Sequence, residues 1–276
     1  MRRVNFLPNI ITAFGLACGL FVIFKVNMIG PGSGTFQMLY TSAFLLLLAA
    51  FADLLDGAVA RIIRAESEFG FMFDSLADAV SFGIAPSVLF LKNLSLEQGT
   101  GLSFFAATGA MLFSICGILR LVRFNVTANE VKGNAAAQAA YKKHFTGLPI
   151  PQAAMSAVAV NLFFASSWAH EWFSMSENSM AITLTCIMIL LGYLMISRWK
   201  FPSVKALEFR VPSFQLVFVT VVIAIFILYG VLYYFPIMLL IATWGYILIA
   251  FILSIIRLIA GKKSKTLVDF EPDPED

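Results

Sequence analysis

Charge is scarce in this chain of 276 residues. Asp, Glu, Lys and Arg make up 13 % of it and hydrophobic residues 60 %, against about 25 % charged residues in a soluble globular domain. A soluble domain of this length would leave much of that apolar surface in water, and the mean hydropathy of +0.87 argues against that class. Cysteine is nearly absent. Cys18, Cys116 and Cys186 are the only three; they fall inside apolar blocks, lack metal-site spacing and are too few for a disulfide scaffold. Histidine is rarer still, with only His144 and His170. A zinc site usually recruits His or Cys, so that chemistry is disfavoured. No cleavable leader stands out, because the first apolar block is followed by further blocks and reads as a first helix.

The apolar residues fall in runs long enough to cross a bilayer, which takes roughly 20 residues of helix. Eight such runs are legible: 10–29, 36–54, 71–91, 101–122, 149–168, 179–197, 213–232 and 235–256. The second continues into polar sequence, so its helix is expected to extend past the bilayer. The fold class is therefore all-α, a polytopic membrane helix bundle of about eight transmembrane helices.

Lys and Arg in short loops set orientation. Arg2 and Arg3, then Arg61 and Arg64, then Arg120, Arg123, Lys132, Lys142 and Lys143, then Arg198, Lys200, Lys205 and Arg210, and finally Lys262, Lys263 and Lys265 all fall on one side of eight spans. Both termini are then cytoplasmic, in the inner membrane. Protease accessibility of a C-terminal tag tests this: protection from the cytoplasmic side contradicts it. Residues 1–260 read as one integral-membrane catalytic domain. Residues 261–276, basic and then acidic with prolines, read as a disordered cytoplasmic tail. The small-residue loop Lys132 to Ala140 is expected to be partly helical.

One stretch carries chemistry: DLLDGAVARIIRAESEFGFMFDSLAD, from Asp53 to Asp78. Asp53 and Asp56 are three apart and share a helix face, as do Asp74 and Asp78, four apart. Each pair lies at the cytoplasmic end of its span, and the short link makes those ends neighbours. Carboxylates at such depth default to a functional reading. Four of them repel one another unless a cation joins them. An all-oxygen site suits Mg²⁺ or Mn²⁺, and two ions could clamp an in-line phosphoryl displacement. Gly57, Ala60 and Gly70 are small residues beside the acids, where a nucleotide or phosphate could approach the backbone. Arg61 could hold a pyrophosphate by paired hydrogen bonds. Taken singly, these features have plainer readings: a solvated cap, a topological arginine, small residues for helix packing.

The order of these residues resembles the signature of the CDP-alcohol phosphatidyltransferase family, D-x-x-D-G-x-x-A-R, eight residues, then G-x-x-x-D-x-x-x-D. All eight positions are present: Asp53, Asp56, Gly57, Ala60, Arg61, Gly70, Asp74 and Asp78. The resemblance implies transfer of a phosphatidyl group from a CDP-activated lipid to an alcohol, with release of CMP. It implies that Asp53, Asp56, Asp74 and Asp78 ligate metal, that Asp74 and Asp78 are catalytic, and that Asp78 also serves as general base. It implies that Gly57, Ala60, Arg61 and Gly70 surround the CDP moiety, and that the enzyme is a homodimer.

Further stretches resemble the phosphatidylserine synthase branch: LPNIIT (7–12) with Cys18-Gly19, LRLVRFN (119–125), FTGLPIPQAA (145–154) and LMISRWKFPSVK (194–205). Gly15 departs from that branch, which often has Asn there. The branch implies CDP-diacylglycerol and L-serine as substrates, membrane lipids as surroundings and no nucleic acid. Arg120, Arg123 and Asn125 are then candidates for serine or a lipid phosphate, as are Arg198 and Lys205. Another acceptor, such as glycerol 3-phosphate or an inositol phosphate, and an archaeal-type CDP-lipid donor stay open. A transporter would place its carboxylates nearer mid-bilayer, and a non-catalytic scaffold would leave four of them unexplained. Asn9 and Thr12 are expected to cap the first helix. Pro149 and Pro151 are expected to start the fifth. His144 is a weak acid–base candidate.

Overall fold

A computed structural model describes residues 6–28, 30, 35–63, 67–94, 96–97, 99–130, 144–172, 175–197, 199–202, 229–230 and 233–260. Its long elements are helices: α1 (Phe6–Asn27), α2 (Phe36–Ile62), α3 (Glu68–Asp78), a π-helical segment (Ala79–Ile84), α4 (Ala85–Asn93), α5 (Gly101–Glu130), α6 (Ile150–Phe164), α7 (Ser167–Trp172), α8 (Glu177–Ile196) and α9 (Phe235–Ala260). One small antiparallel ribbon joins β1 (His144–Thr146) to β2 (Lys200–Pro202), with Phe145 opposite Phe201.

Six helical stretches among the described residues are long and apolar enough to cross a membrane: 7–27, 36–62, 68–93, 101–127, 177–196 and 235–256. The protein is an integral-membrane helix bundle. As expected, α2 runs on past its apolar run, to Ile62. The fifth expected span is shorter than its apolar run. α6 has 15 residues, about 22 Å at the α-helical rise, and a turn and short α7 follow. Twelve of those 15 residues are buried. A helix that is apolar all round belongs inside a bundle, and α6 sits at the centre of this one. The seventh expected span, 213–232, lies almost wholly outside the described residues, as do the loop 132–140 and the tail 261–276.

The core lies between helices, and apolar side chains also cover the outside. Phe82, Phe90, Phe113, Leu148, Ile150, Leu184 and Met188 are almost fully buried. Phe104 is 76 % exposed, Ile62 81 % and Phe24 64 %, which suits lipid and not water. In lipid the drive for helices to associate comes from close packing, so small residues sit at the contacts. A Cβ on Gly19 would lie 2.7 Å from Ser81 Cα, and one on Gly192 would lie 3.4 Å from Phe113 Cα. α1 thus docks on α2 and the π segment at backbone range, and α8 docks on α5.

Three of the separate stretches that resemble the serine branch meet at one junction. Gly147, with φ +80°, donates its N–H to Trp199 O at 2.8 Å. Leu148 N–H reaches Leu194 O at 3.0 Å. Arg123 donates from Nη1 to Ile196 O at 3.0 Å and from Nη2 to Met195 O at 3.5 Å, covering the C-terminal carbonyls of α8. A side chain at 147 would need the left-handed region and would press on Arg123 Nη2 at 2.9 Å, so the turn requires glycine. Pro149 precedes α6 and a proline occupies its first turn, as expected.

Candidate active site

The acids sit on the last turns of α2 and on the second and third turns of α3. Asp53 and Asp56 lie in the last turns of α2. Ser67 caps α3 by accepting from Gly70 N–H at 3.0 Å, and Asp74 and Asp78 follow about two and three turns later. The link between the helices is short, and the four carboxylates line one cavity of about 10 Å³. That is the scale of a single water-sized sphere.

Asp53, Asp56 and Asp74 each bring an oxygen to within 4.8 Å of the other two. Asp56 is 4 % exposed, and one of its oxygens accepts from Thr12 Oγ1 at 2.5 Å. Three carboxylate oxygens this close, one of them deeply buried, repel strongly when nothing positive lies between them. They fit a hard divalent cation, which takes oxygen ligands. Asp78 stands outside that triad but lines the same cavity. It lies within electrostatic range of Asp53, Asp74 and Asp56, and of Arg120 as the opposing charge.

Arg120 comes from α5 and is buried, at 8 % exposure. Its charge also acts on Tyr246 of α9. Arg123, one turn on, is turned toward the carbonyls of Met195 and Ile196. The pair is therefore split: Arg120 serves the acid side and Arg123 the α8 terminus. Asn125 donates to Ser75 Oγ at 3.0 Å, next to Asp74 in sequence. Gly57 and Arg61 are exposed at the end of α2, where Arg61 Nε donates to Gly57 O at 2.8 Å. Ala60 beside them is half-buried. A Cβ on Gly57 would meet nothing within 4 Å, so no packing within the described chain demands glycine there. Gly70 differs, since its Cβ would lie 3.1 Å from Asn9 Oδ1. Arg198 and Lys205 lie outside the described residues, as does the side chain of His144.

Asn9 and Thr12 are the residues that sequence reasoning misplaced. The helix already begins at Phe6, so neither Asn9 nor Thr12 caps it. The Thr12 hydroxyl lies 3.1 Å from Pro8 O and 2.5 Å from Asp56. Ser75, the partner of Asn125, was not singled out at all.

The sequence model of the CDP-alcohol phosphatidyltransferase family matches residues 5–199. The chain belongs to this family. The matched region spans α1 to the end of α8 and contains all four acids. Several relatives carry the name CDP-diacylglycerol–serine O-phosphatidyltransferase. The one from Helicobacter pylori is 31 % identical over 212 residues, covering 77 % of this chain and 78 % of its own. The Bacillus subtilis protein is 32 % identical over 203 residues, covering 73 % and 93 %. The Methanocaldococcus jannaschii protein is 35 % identical over 178 residues, covering 64 % and 72 %. This phosphatidyltransferase therefore has similarly named relatives in both bacteria and an archaeon.

Proposed function

We propose that the protein transfers the phosphatidyl group of CDP-diacylglycerol to the hydroxyl of L-serine, giving phosphatidylserine and CMP. The observation that carries the chemistry is the convergence of Asp53, Asp56 and Asp74 on one point with Asp78 alongside. The choice of serine is supported by the shared name of the relatives.

A divalent cation held by Asp53, Asp56 and Asp74, Mg²⁺ or Mn²⁺, would offset the pyrophosphate charge and stabilise the departing CMP. The chain's own residues do the rest. Thr12 fixes one oxygen of Asp56 and so orients that carboxylate. Arg61, at the open end of α2, holds pyrophosphate oxygens, and the open space at Gly57 lets the nucleotide lie against the helix. The serine oxygen forms a bond to the β-phosphorus as the bond from that phosphorus to CMP breaks. The bonding pair leaves with CMP, and the hydroxyl proton passes to Asp78. No covalent enzyme intermediate is needed. Arg120, buried near Asp78, is the cation for the carboxylate of serine. The active site on this reading faces the cytoplasm, on the side of the basic loops.

The test is CMP release by purified protein in detergent, with CDP-diacylglycerol, Mg²⁺ or Mn²⁺, and one acceptor per assay. Metal-dependent release with L-serine alone is the expected result. Release with glycerol 3-phosphate or an inositol phosphate instead would keep the acid site and overturn the acceptor. Arg120→Ala should raise the serine KM by about tenfold or more, the scale of a lost hydrogen bond to a charged group, with little change in the donor KM. Equal rises in both would move Arg120 to the lipid phosphate or to folding.

A further inference from the structure

The third span is not one continuous α-helix. Over Ala79–Ile84 the ladder shifts to π bonding, and Ala85 N–H reaches Val80 O five residues back. The cause lies in the sequence. Pro86 has no N–H to give the Phe82 carbonyl, and its ring crowds that carbonyl. A π-turn adds a residue to the winding, which rotates what precedes it by about 100° relative to an unbroken α-helix. Asp74 and Asp78 precede it. Leu89 and Phe90 follow it, in the core.

The disturbed backbone is held from two sides. On the α5 side, Ser114 Oγ lies 2.9 Å from Gly83 O and 2.9 Å from Ser87 Oγ, and Ser87 Oγ lies 3.0 Å from Ala110 O. Each hydroxyl also reaches its own i−4 carbonyl, Ser114 to Ala110 O at 3.2 Å and Ser87 to Gly83 O at 3.5 Å, but the shorter contacts are the ones that cross between the helices. On the α1 side, Gly19 packs against Ser81, whose hydroxyl faces Gly15 O at 3.4 Å. Ser87 and Ser114 do not line the acid cavity.

We infer that the π-turn 79–84, held by Ser114 and Ser87, is a positioning device that sets the rotation of Asp74 and Asp78 toward Asp53 and Asp56. The inference rests on reading the acids as a metal site. Without the extra residue, the Asp74–Asp78 face would point away from α2. Without the serine pair, the turn could relax toward α geometry while the rest of the bundle stayed packed. Ser87 and Ser114 are thus positioning residues that act through the backbone.

Mn²⁺ binding to the purified full-length protein in detergent, followed by electron paramagnetic resonance, tests this apart from turnover. Ser114→Ala should raise the Mn²⁺ Kd about fivefold, as expected for one lost hydrogen bond. Ser114→Thr, which keeps the hydroxyl, should stay within about twofold on the same scale. Deletion of Val80, which removes the extra residue, should abolish binding. If that variant does not fold, the Ser114 pair still decides. Asp56→Asn is the control for the metal reading. An unchanged Kd in Asp56→Asn refutes the metal site, and the inference falls with it. Lost binding in Asp56→Asn with parental binding in Ser114→Ala overturns the inference alone. Equal weakening in Ser114→Ala and Ser114→Thr also overturns it, because the hydroxyl would then be irrelevant.

Discussion

Asp78→Asn should lower kcat by about 10²- to 10⁴-fold, the range that a positioned general base supplies, while Mn²⁺ and CDP-diacylglycerol still bind. The reason is the division of labour within the acid cavity. Asp53, Asp56 and Asp74 bring their oxygens together, and Asp78 stands beside them. Asparagine keeps the size of the side chain and removes its ability to take a proton. The change should not unfold the protein. Asp78 faces three like charges and one opposite charge, from Arg120, so the metal-free variant should melt no lower than the parent. Single-turnover CMP release, Mn²⁺ titration and thermal melting separate these effects. A variant turning over at a near-normal rate would remove Asp78 from the role of base. One that loses metal as well would make Asp78 a ligand.

Asp56→Asn should behave differently, losing both turnover and metal. Its Mn²⁺ Kd should rise by at least about a hundredfold, the upper end of what losing even an outer-shell partner costs. Asp56 is the most enclosed member of the triad, and Thr12 Oγ1 donates to it. Asparagine can still accept that bond through its carbonyl oxygen, so the docking of α1 should survive. What disappears is the charge. Equilibrium Mn²⁺ titration of the two variants side by side gives the contrast: a rate defect without a binding defect at 78, and both defects at 56. Retention of tight Mn²⁺ binding by Asp56→Asn would refute the triad.

The pairing of the acids was legible from spacing, although the rotation of the second pair was not. Three- and four-residue intervals put each pair on one face, and a short link forces two helix ends together. The partner of Asp56 was not legible in the same way. Thr12 lies 44 residues away, and its position near the start of an apolar run suggested a cap. A better signal was available, since Thr12, Gly15 and Gly19 recur at helical spacing and all three are buried. The π-turn had a signal too: Pro86 sits inside an apolar run where an unbroken helix would need its N–H. Arg120 and Arg123 look equivalent in sequence, three apart on one helix. Only the position of α8 separates them, because it offers carbonyls to Arg123 and none of the acids. The ribbon of β1 with β2 joins residues more than 50 positions apart, and no local pattern marks it.

The last helix looked generic in sequence and lies beyond the region that the family model matches. It is nonetheless fastened to α6. Gln152 Nε2 donates to Thr243 O at 2.8 Å and Trp244 Nε1 to Ser156 O at 3.2 Å, while Phe251 stacks on Trp199 with ring centroids 4.6 Å apart. The same helix carries Tyr246, on which the charge of Arg120 acts. The order of synthesis therefore bears on the site. A ribosome that has finished α8 has made every acid and every residue of the signature, yet the surroundings of Arg120 are still incomplete. Residues 235–260 supply Tyr246 to those surroundings, so a nascent chain or premature-stop product ending before that point has the acids without the helix that fastens to α6 and carries Tyr246.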